Sequence, residues 1–297
     1  MFYLESKNFQ LELEVVSVDS LLQHEETISG PMRKLILALK NQAHLHNPII
    51  IDENHVVLDG NHRAFAFKEL KFKHIAACRI NYFHKKTKLR YWYRHLRTSP
   101  RLNRIKRAVA ELKGDWRDVE DKDSLQKALE KDRLCCGIQR GDFFASVRFR
   151  DDVVNDAVSA YGIFNQIQEK LVGEGSTLEY IPCNAVHEAD FCAGLNADEV
   201  VLWSPRITKE MVVDAARRQK IFTPKATRHL IPARPLNVDV PTEWFTEDIS
   251  LEEINRRFAD HLRGKKIQHL GPGQIVHGRY YEEELFVFYD KKSIRQG

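Results

Sequence analysis

The stretch His55-Val56-Val57-Leu58-Asp59-Gly60-Asn61-His62-Arg63 decides how this chain is read. Val56 to Leu58 favour a strand, and the run ends at Asp-Gly, a turn dipeptide. Gly60 tolerates positive φ and lets another group approach the backbone. Asn61, His62 and Arg63 stand where a helix begins. The first amides of a helix have no partner within it, and that end carries partial positive charge, so it accepts anions. His62 and Arg63 add side-chain donors, and a guanidinium can grip two phosphate oxygens at once. Asp59 beside them is a candidate ligand for Mg²⁺, which bridges phosphates. The same pattern admits a plainer reading, a β-turn with Asp59 as helix N-cap and Arg63 on the surface.

Outward from this loop, the periodicities predict a compact α/β unit over residues 1–85. Strands are expected at 11–16, 49–51, 56–58 and 75–80, and helices at 32–41 and 62–70. A turn at 52–54 makes a hairpin of the second and third strands. Residues 85–107 hold ten Lys/Arg, no acid, and the run Tyr91-Trp92-Tyr93. They read as a helix leaving the first unit. Residues 108–180 read as mostly helical, with a strand at 143–149. Further on, a strand is expected at 199–203, helices at 208–218 and 251–262, a polar loop at 222–229 and a closing strand at 285–289. The expected organisation is therefore α/β throughout. Residues 1–85 form a phosphate-binding domain. Residues 86–297, including the 222–241 loop, form a second, mostly helical α/β domain completing the substrate pocket.

Composition sets outer limits. The 297 residues are 43% hydrophobic and 30% charged, an ordinary globular balance. Lys+Arg 46 against Asp+Glu 42 leaves only +4, too little for general nucleic-acid affinity. No apolar run is long enough to span a membrane. The five cysteines and a charged N-terminus without a secretory leader point to a cytoplasmic protein with reduced thiols.

A strand, then Asp59-Gly60-x-His62-Arg63, then an alanine-containing helix and a further strand, resembles the ParB/sulfiredoxin superfamily. His24-Glu25-Glu26 upstream narrows the likeness to the free L-serine kinases, both the archaeal ADP-dependent enzyme and the ATP-dependent one of staphyloferrin B siderophore synthesis. Downstream, Ala226-Thr227-Arg228-His229 and Arg234-Pro235-Leu236-Asn237-Val238-Asp239-Val240-Pro241 are similar to the C-terminal part of the siderophore-linked member. The resemblance implies transfer of a phosphoryl group from ATP or ADP, with Mg²⁺, to the hydroxyl of L-serine. It implies Glu25 as base, with Glu26 the alternative, and Asp59 as the metal-binding catalytic carboxylate. Gly60, Asn61, His62, Arg63, Thr227 and Arg228 fall at phosphate or nucleotide positions. His24, Glu26, Trp92 and His229 fall on the substrate side. The chemistry agrees: the hydroxyl proton needs an acceptor within hydrogen-bond reach, and the rest is positioning and charge neutralisation.

Other features have plainer readings beside functional ones. The basic aromatic run 85–107 suits single-stranded nucleic acid, but no helix-turn-helix follows it, and a solvated helix explains the charge. The rival to a kinase is a ParB-like, nucleotide-gated DNA-binding regulator. Cys183, His187 and Cys192 match no common zinc spacing, so core thiols are expected there and at Cys135-Cys136. His44 and His46 read as turn residues.

Overall fold

The computed structural model describes residues 1–6, 9–97, 101–183, 195–196 and 199–291. Two compact units result, Met1–Lys88 together with His229–Gly297, and Leu89–Arg228. The first break falls close to the expected 85/86 boundary. The expectation assigned everything after it to the second domain, whereas the last part of the chain returns to the first unit.

The N-terminal part runs β1 (Phe2–Ser6), β2 (Phe9–Ser17), α1 (Ser29–Asn41), β3 (Ile49–Ile51), β4 (Val57–Asp59), α2 (Asn61–Glu69) and β5 (His74–Arg79). These strands form one sheet in the order β1-β2-β5-β3-β4, in which β3 and β5 are parallel and the other pairs antiparallel. All three isoleucines of β3 are buried, as a strand with neighbours on both sides requires. The β3–β4 turn is organised by Asp52, whose Oδ1 accepts the amides of Asn54 at 2.8 Å and Val56 at 2.7 Å. Leu22 adds a parallel bridge along β4: its amide donates to His55 O and its carbonyl accepts from Val57, both at 2.9 Å. The chain after Leu22 is thereby carried toward the end of β4, where Asp59 lies.

The second unit comprises β6 (Trp92–Arg97), α3 (Leu102–Glu111), β7 (Gly114–Val119), α4 (Lys122–Lys131), β8 (Cys136–Arg140), β9 (Phe143–Phe149), α5 (Ala157–Gly173), β10 (Thr177–Pro182), β11 (Val200–Trp203) and α6 (Lys209–Arg217). Its sheet is antiparallel throughout, in the order β10-β6-β11-β8-β9-β7. The class is α/β as expected, but the helical reading of 85–107 holds only for 102–107, with Lys88–Arg90 and Trp92–Arg97 in strands, and 108–180 carries more strand than its amphipathic pattern suggested. The run Tyr91-Trp92-Tyr93 favours the pleated backbone. The charges of 85–107 do not all face water either. Arg94 is fully buried, and its guanidinium donates to Gln168 Oε1 at 3.2 Å and to the carbonyls of Trp92, Pro224 and Lys225 at 3.1, 3.2 and 2.8 Å. Its carbon also lies 5.0 and 5.1 Å from the rings of Phe164 and Tyr180. A cation satisfied this way belongs in a core, so charge alone misreads the segment. Helix starts follow local chemistry: Asp121 caps α4, Asp156 and Ser159 make a capping box on α5, and Thr208 caps α6.

The returning segment adds β12 (Ala233–Leu236), α7 (Leu251–Arg263), β13 (Lys265–Leu270) and β14 (Glu284–Asp290) to the first unit. Its small sheet has the order β12-β14-β13, with β12 and β14 parallel. Ser250 caps α7, which buries Ile254, Phe258, Ala259 and Leu262. Asn255 fastens α7 to β2: Oδ1 accepts from Val15 N at 2.9 Å and Nδ2 donates to Val15 O at 2.8 Å. Among the described residues, no helix is long and apolar enough to cross a membrane.

Phe67 of α2 is fully buried, with its ring centroid 4.8 Å from that of Phe72 and 5.5 Å from that of Phe245. Phe67→Ala should destabilise the protein by roughly 3–5 kcal/mol, read as a lower midpoint in urea unfolding.

Candidate active site

Gly60 sits between β4 and α2 with φ 93° and ψ 23°, the left-handed region that a side chain disfavours. A Cβ here would lie 2.7 Å from Ile49 Cγ2 and 2.9 Å from Arg63 Nη2. Gly60 is itself the N-cap of α2, and no side chain caps the helix. The plainer reading, Asp59 as N-cap, therefore does not hold. Nor does a surface Arg63, whose side chain is only 22% exposed.

Asp59 ends β4 and meets two guanidiniums. Arg234 Nη1 donates to Asp59 Oδ2 at 2.6 Å, and Arg63 Nη2 lies 3.5 Å from the same oxygen. Arg234 is buried, and its Nη2 donates to Glu283 Oε1, also buried, at 3.1 Å. Burial opposes the charged form of Asp59, but Arg234 and Arg63 more than offset it, so its carboxyl is held well below the usual carboxylate range. Arg279 pulls it down further. The other arm of Arg63 is committed elsewhere, with Nη1 donating to the carbonyls of Asn47 and Pro48. Arg63 thus pins the lead into β3 as well as facing Asp59. Three cations face two carboxylates here, a field suited to an anion.

The His24-Glu25-Glu26 segment is tied to the first turn of α2. Gln23 Nε2 donates to Asn61 O at 3.3 Å, and the Ile28 amide donates to His62 Nε2 at 3.2 Å. Glu25, between these ties, is half-buried, while Glu26 is exposed. His24 is fully buried, its ring edge-on to His229 with centroids 5.5 Å apart. The other side of His229 is fixed by Tyr82, whose hydroxyl lies 2.8 Å from His229 Nε2. Burial pushes the His24 imidazole down to about 4, against a hydrogen bond with the Val57 backbone that favours protonation, so the ring is neutral at pH 7.

Trp92, Thr227 and Arg228 lie in the Leu89–Arg228 unit. There the Trp92 indole donates to Thr227 O at 3.0 Å, the Lys225 ammonium sits 4.4 Å over the Trp92 ring, and Arg228 Nη1 donates to Cys183 O at 3.3 Å. Cys78, Cys135 and Cys136 are free and buried, as core thiols should be, and Cys183 is buried as well. His187 and Cys192 lie outside the described residues. Among the described residues, no three His, Cys, Asp or Glu side chains form a metal cluster. A Mg²⁺ held by one carboxylate and substrate phosphates needs none. Both guanidinium contacts of Asp59 fall on Oδ2, which leaves Oδ1 for such an ion. Sequence reasoning assigned no role to Arg234, Glu283 or Arg279. Arg234 sat in a matched block, but nothing local marked its partner.

No protein-family model matches the chain. It is 28% identical to an ATP-dependent L-serine kinase of Staphylothermus marinus over 245 residues, covering 78% of this chain and 91% of that one. It is 22% identical to the ADP-dependent L-serine kinase SerK of Thermococcus kodakarensis, over 77% of this chain and 90% of that one. A solved free serine kinase in complex with AMP superimposes with a TM-score of 0.60 at 18% identity, covering 82% of this chain and 96% of that one. The chain is similar to the L-serine kinases in sequence and in fold. The expected family resemblance and α/β class are both borne out, over nearly the full length of these relatives.

Two outcomes follow from the geometry. Gly60→Ala should cost more than about 1–2 kcal/mol, the penalty of left-handed backbone for an L-residue, with the clash on Ile49 in addition. His24 has a lower affinity for protons folded than unfolded, so its contribution is full above its ordinary value of 6.5 and is lost as pH falls toward about 4. The loss is of order 3 kcal/mol. Melting temperature measured from pH 8 to pH 4 should fall more steeply for the wild type than for His24→Gln.

Proposed function

We propose that this protein is a free L-serine kinase, transferring a phosphoryl group from ATP or ADP to the serine hydroxyl to give O-phospho-L-serine. One observation carries the reading. An ionised Asp59, the left-handed Gly60 and the uncapped start of α2 share a single turn, faced by Arg234 and Arg63, and the Glu25 loop is tied to that same turn. Phosphoryl transfer asks for little covalent work from a protein, and for positioning and charge stabilisation instead. The α2 amides and His62 take the phosphates. Asp59 would hold Mg²⁺ through Oδ1, and the ion would neutralise charge on the phosphates. Asp59 is unsuited to act as base, because its carboxyl stays ionised far below the pH at which it could usefully accept a proton. Glu25 takes that role in the proposal, half-buried where Glu26 is exposed. Trp92, Thr227 and Arg228 are proposed as substrate and nucleotide contacts from their match to the family.

The test is an assay of pure protein with Mg²⁺, L-serine and either ATP or ADP, with phosphoserine read by mass spectrometry. Product is expected with at least one nucleotide, and absence of product with both overturns the reading. Glu25→Gln should lower kcat by about 10²–10⁴-fold, the usual worth of a general base. Glu26→Gln should stay within a few-fold of wild type, and Asp59→Asn should lose most activity.

A further inference from the structure

The Leu89–Arg228 unit contains a polar cavity of about 490 Å³ that the kinase reading does not use. Arg90, Arg133 and Arg206 line it, with Tyr91 and Gln126, and Glu130 is the one acid among its lining residues. The Arg206 guanidinium lies over an aromatic floor: its carbon is 3.4 Å from the Tyr91 ring centroid and 5.7 Å from that of Trp203. Stacking satisfies the face of a guanidinium but not its N–H edge. Arg206 Nη1 is shut off from solvent and has no hydrogen-bond partner among the described residues. Burial lowers the affinity of Arg206 for its proton, and no carboxylate acts against this. An orphaned donor of this kind is costly in a folded protein.

The segment holding Arg206 is fixed by the fold. The Tyr161 hydroxyl donates to Pro205 O at 3.2 Å, and the Arg206 amide donates to Arg133 O at 2.9 Å. The backbone that carries Arg206 into the cavity lining is therefore held in place. We propose that this cavity is a second anion site, binding a small phosphate monoester or free phosphate through the donors that Arg206, Arg90 and Arg133 present to it. A tetrahedral oxyanion can accept from several guanidiniums at once. The volume suits a small molecule. Glu130 then faces the hydroxyl or ammonium end of the ligand.

The test is calorimetric titration of the full chain, without serine or nucleotide, at constant ionic strength set with sodium chloride. Inorganic phosphate and glycerol 3-phosphate are the two probes. A binding step is expected that weakens at least tenfold in Arg206→Met and several-fold in Arg133→Gln. Arg133 is exposed, so its variant keeps the test decisive if Arg206→Met fails to fold. Tighter binding of glycerol 3-phosphate assigns the site to monoesters, and equal binding assigns it to phosphate itself. Isotherms of Arg206→Met and Arg133→Gln that match wild type overturn the proposal, as does an equal response to chloride alone. The readout is independent of catalysis, so its failure leaves the serine kinase reading standing.

Discussion

The first unit depends on one carboxylate, Asp59, held 2.6 Å from Arg234 and 3.5 Å from Arg63. Arg63 lies in the first turn of α2, whereas Arg234 arrives on β12 from the C-terminal part of the chain. Glu283, on the other arm of Arg234, lies just before β14. A buried ion network is poor evidence of net stability, because desolvation opposes much of its attraction. Its effect is on arrangement. Any register that separated Arg234 from Asp59 and Glu283 would leave buried charges uncompensated, so the network selects the pairing that brings the C-terminal segment back to the phosphate loop.

The same network divides the chemical roles. An acid clamped by guanidiniums stays ionised below the usual carboxylate range, so it can attract a cation but is a poor proton acceptor. The base must then come from elsewhere, which focuses attention on the His24-Glu25-Glu26 segment. The fold keeps its histidine neutral by burial, edge-on to His229, which Tyr82 contacts in turn. A neutral ring beside the loop adds no competing charge.

What is legible in the sequence is local. Strand, turn and helix around Gly60 can be read because β-propensity, the Asp-Gly turn and helix-start chemistry all act within a few residues. Asn255 holding β2, Arg234 reaching Asp59 and Tyr82 meeting His229 are separated by 240, 175 and 147 residues, and no periodicity reports such pairings. The 85–107 stretch misleads for a different reason. Its charges suggest a solvated face, yet Arg94 is satisfied by carbonyls and aromatic rings, and β6 is an interior strand. Arg63 shows a third kind of limit. Its place at the start of α2 is readable, but its Nη1 serves the carbonyls before β3, so its full donor set is not available to a ligand.

The divided fork of Arg63 bears on how a nucleotide phosphate can be held. A phosphate approaching α2 brings more negative charge toward an Asp59 that does not protonate, and the repulsion has to be offset. Arg63 offers only part of its fork, and Arg234 is shared between two acids. The excess cation of the cluster is Arg279, which is exposed and lies on the hairpin of Gln274–Val276 and Arg279–Tyr281. Its field reaches both Asp59 and Arg63. The charge balance at this loop is therefore set by residues from three separate stretches of chain. A Gly-x-His-Arg motif lifted out of this framework would keep its helix start and lose the field that makes the site attractive to phosphate.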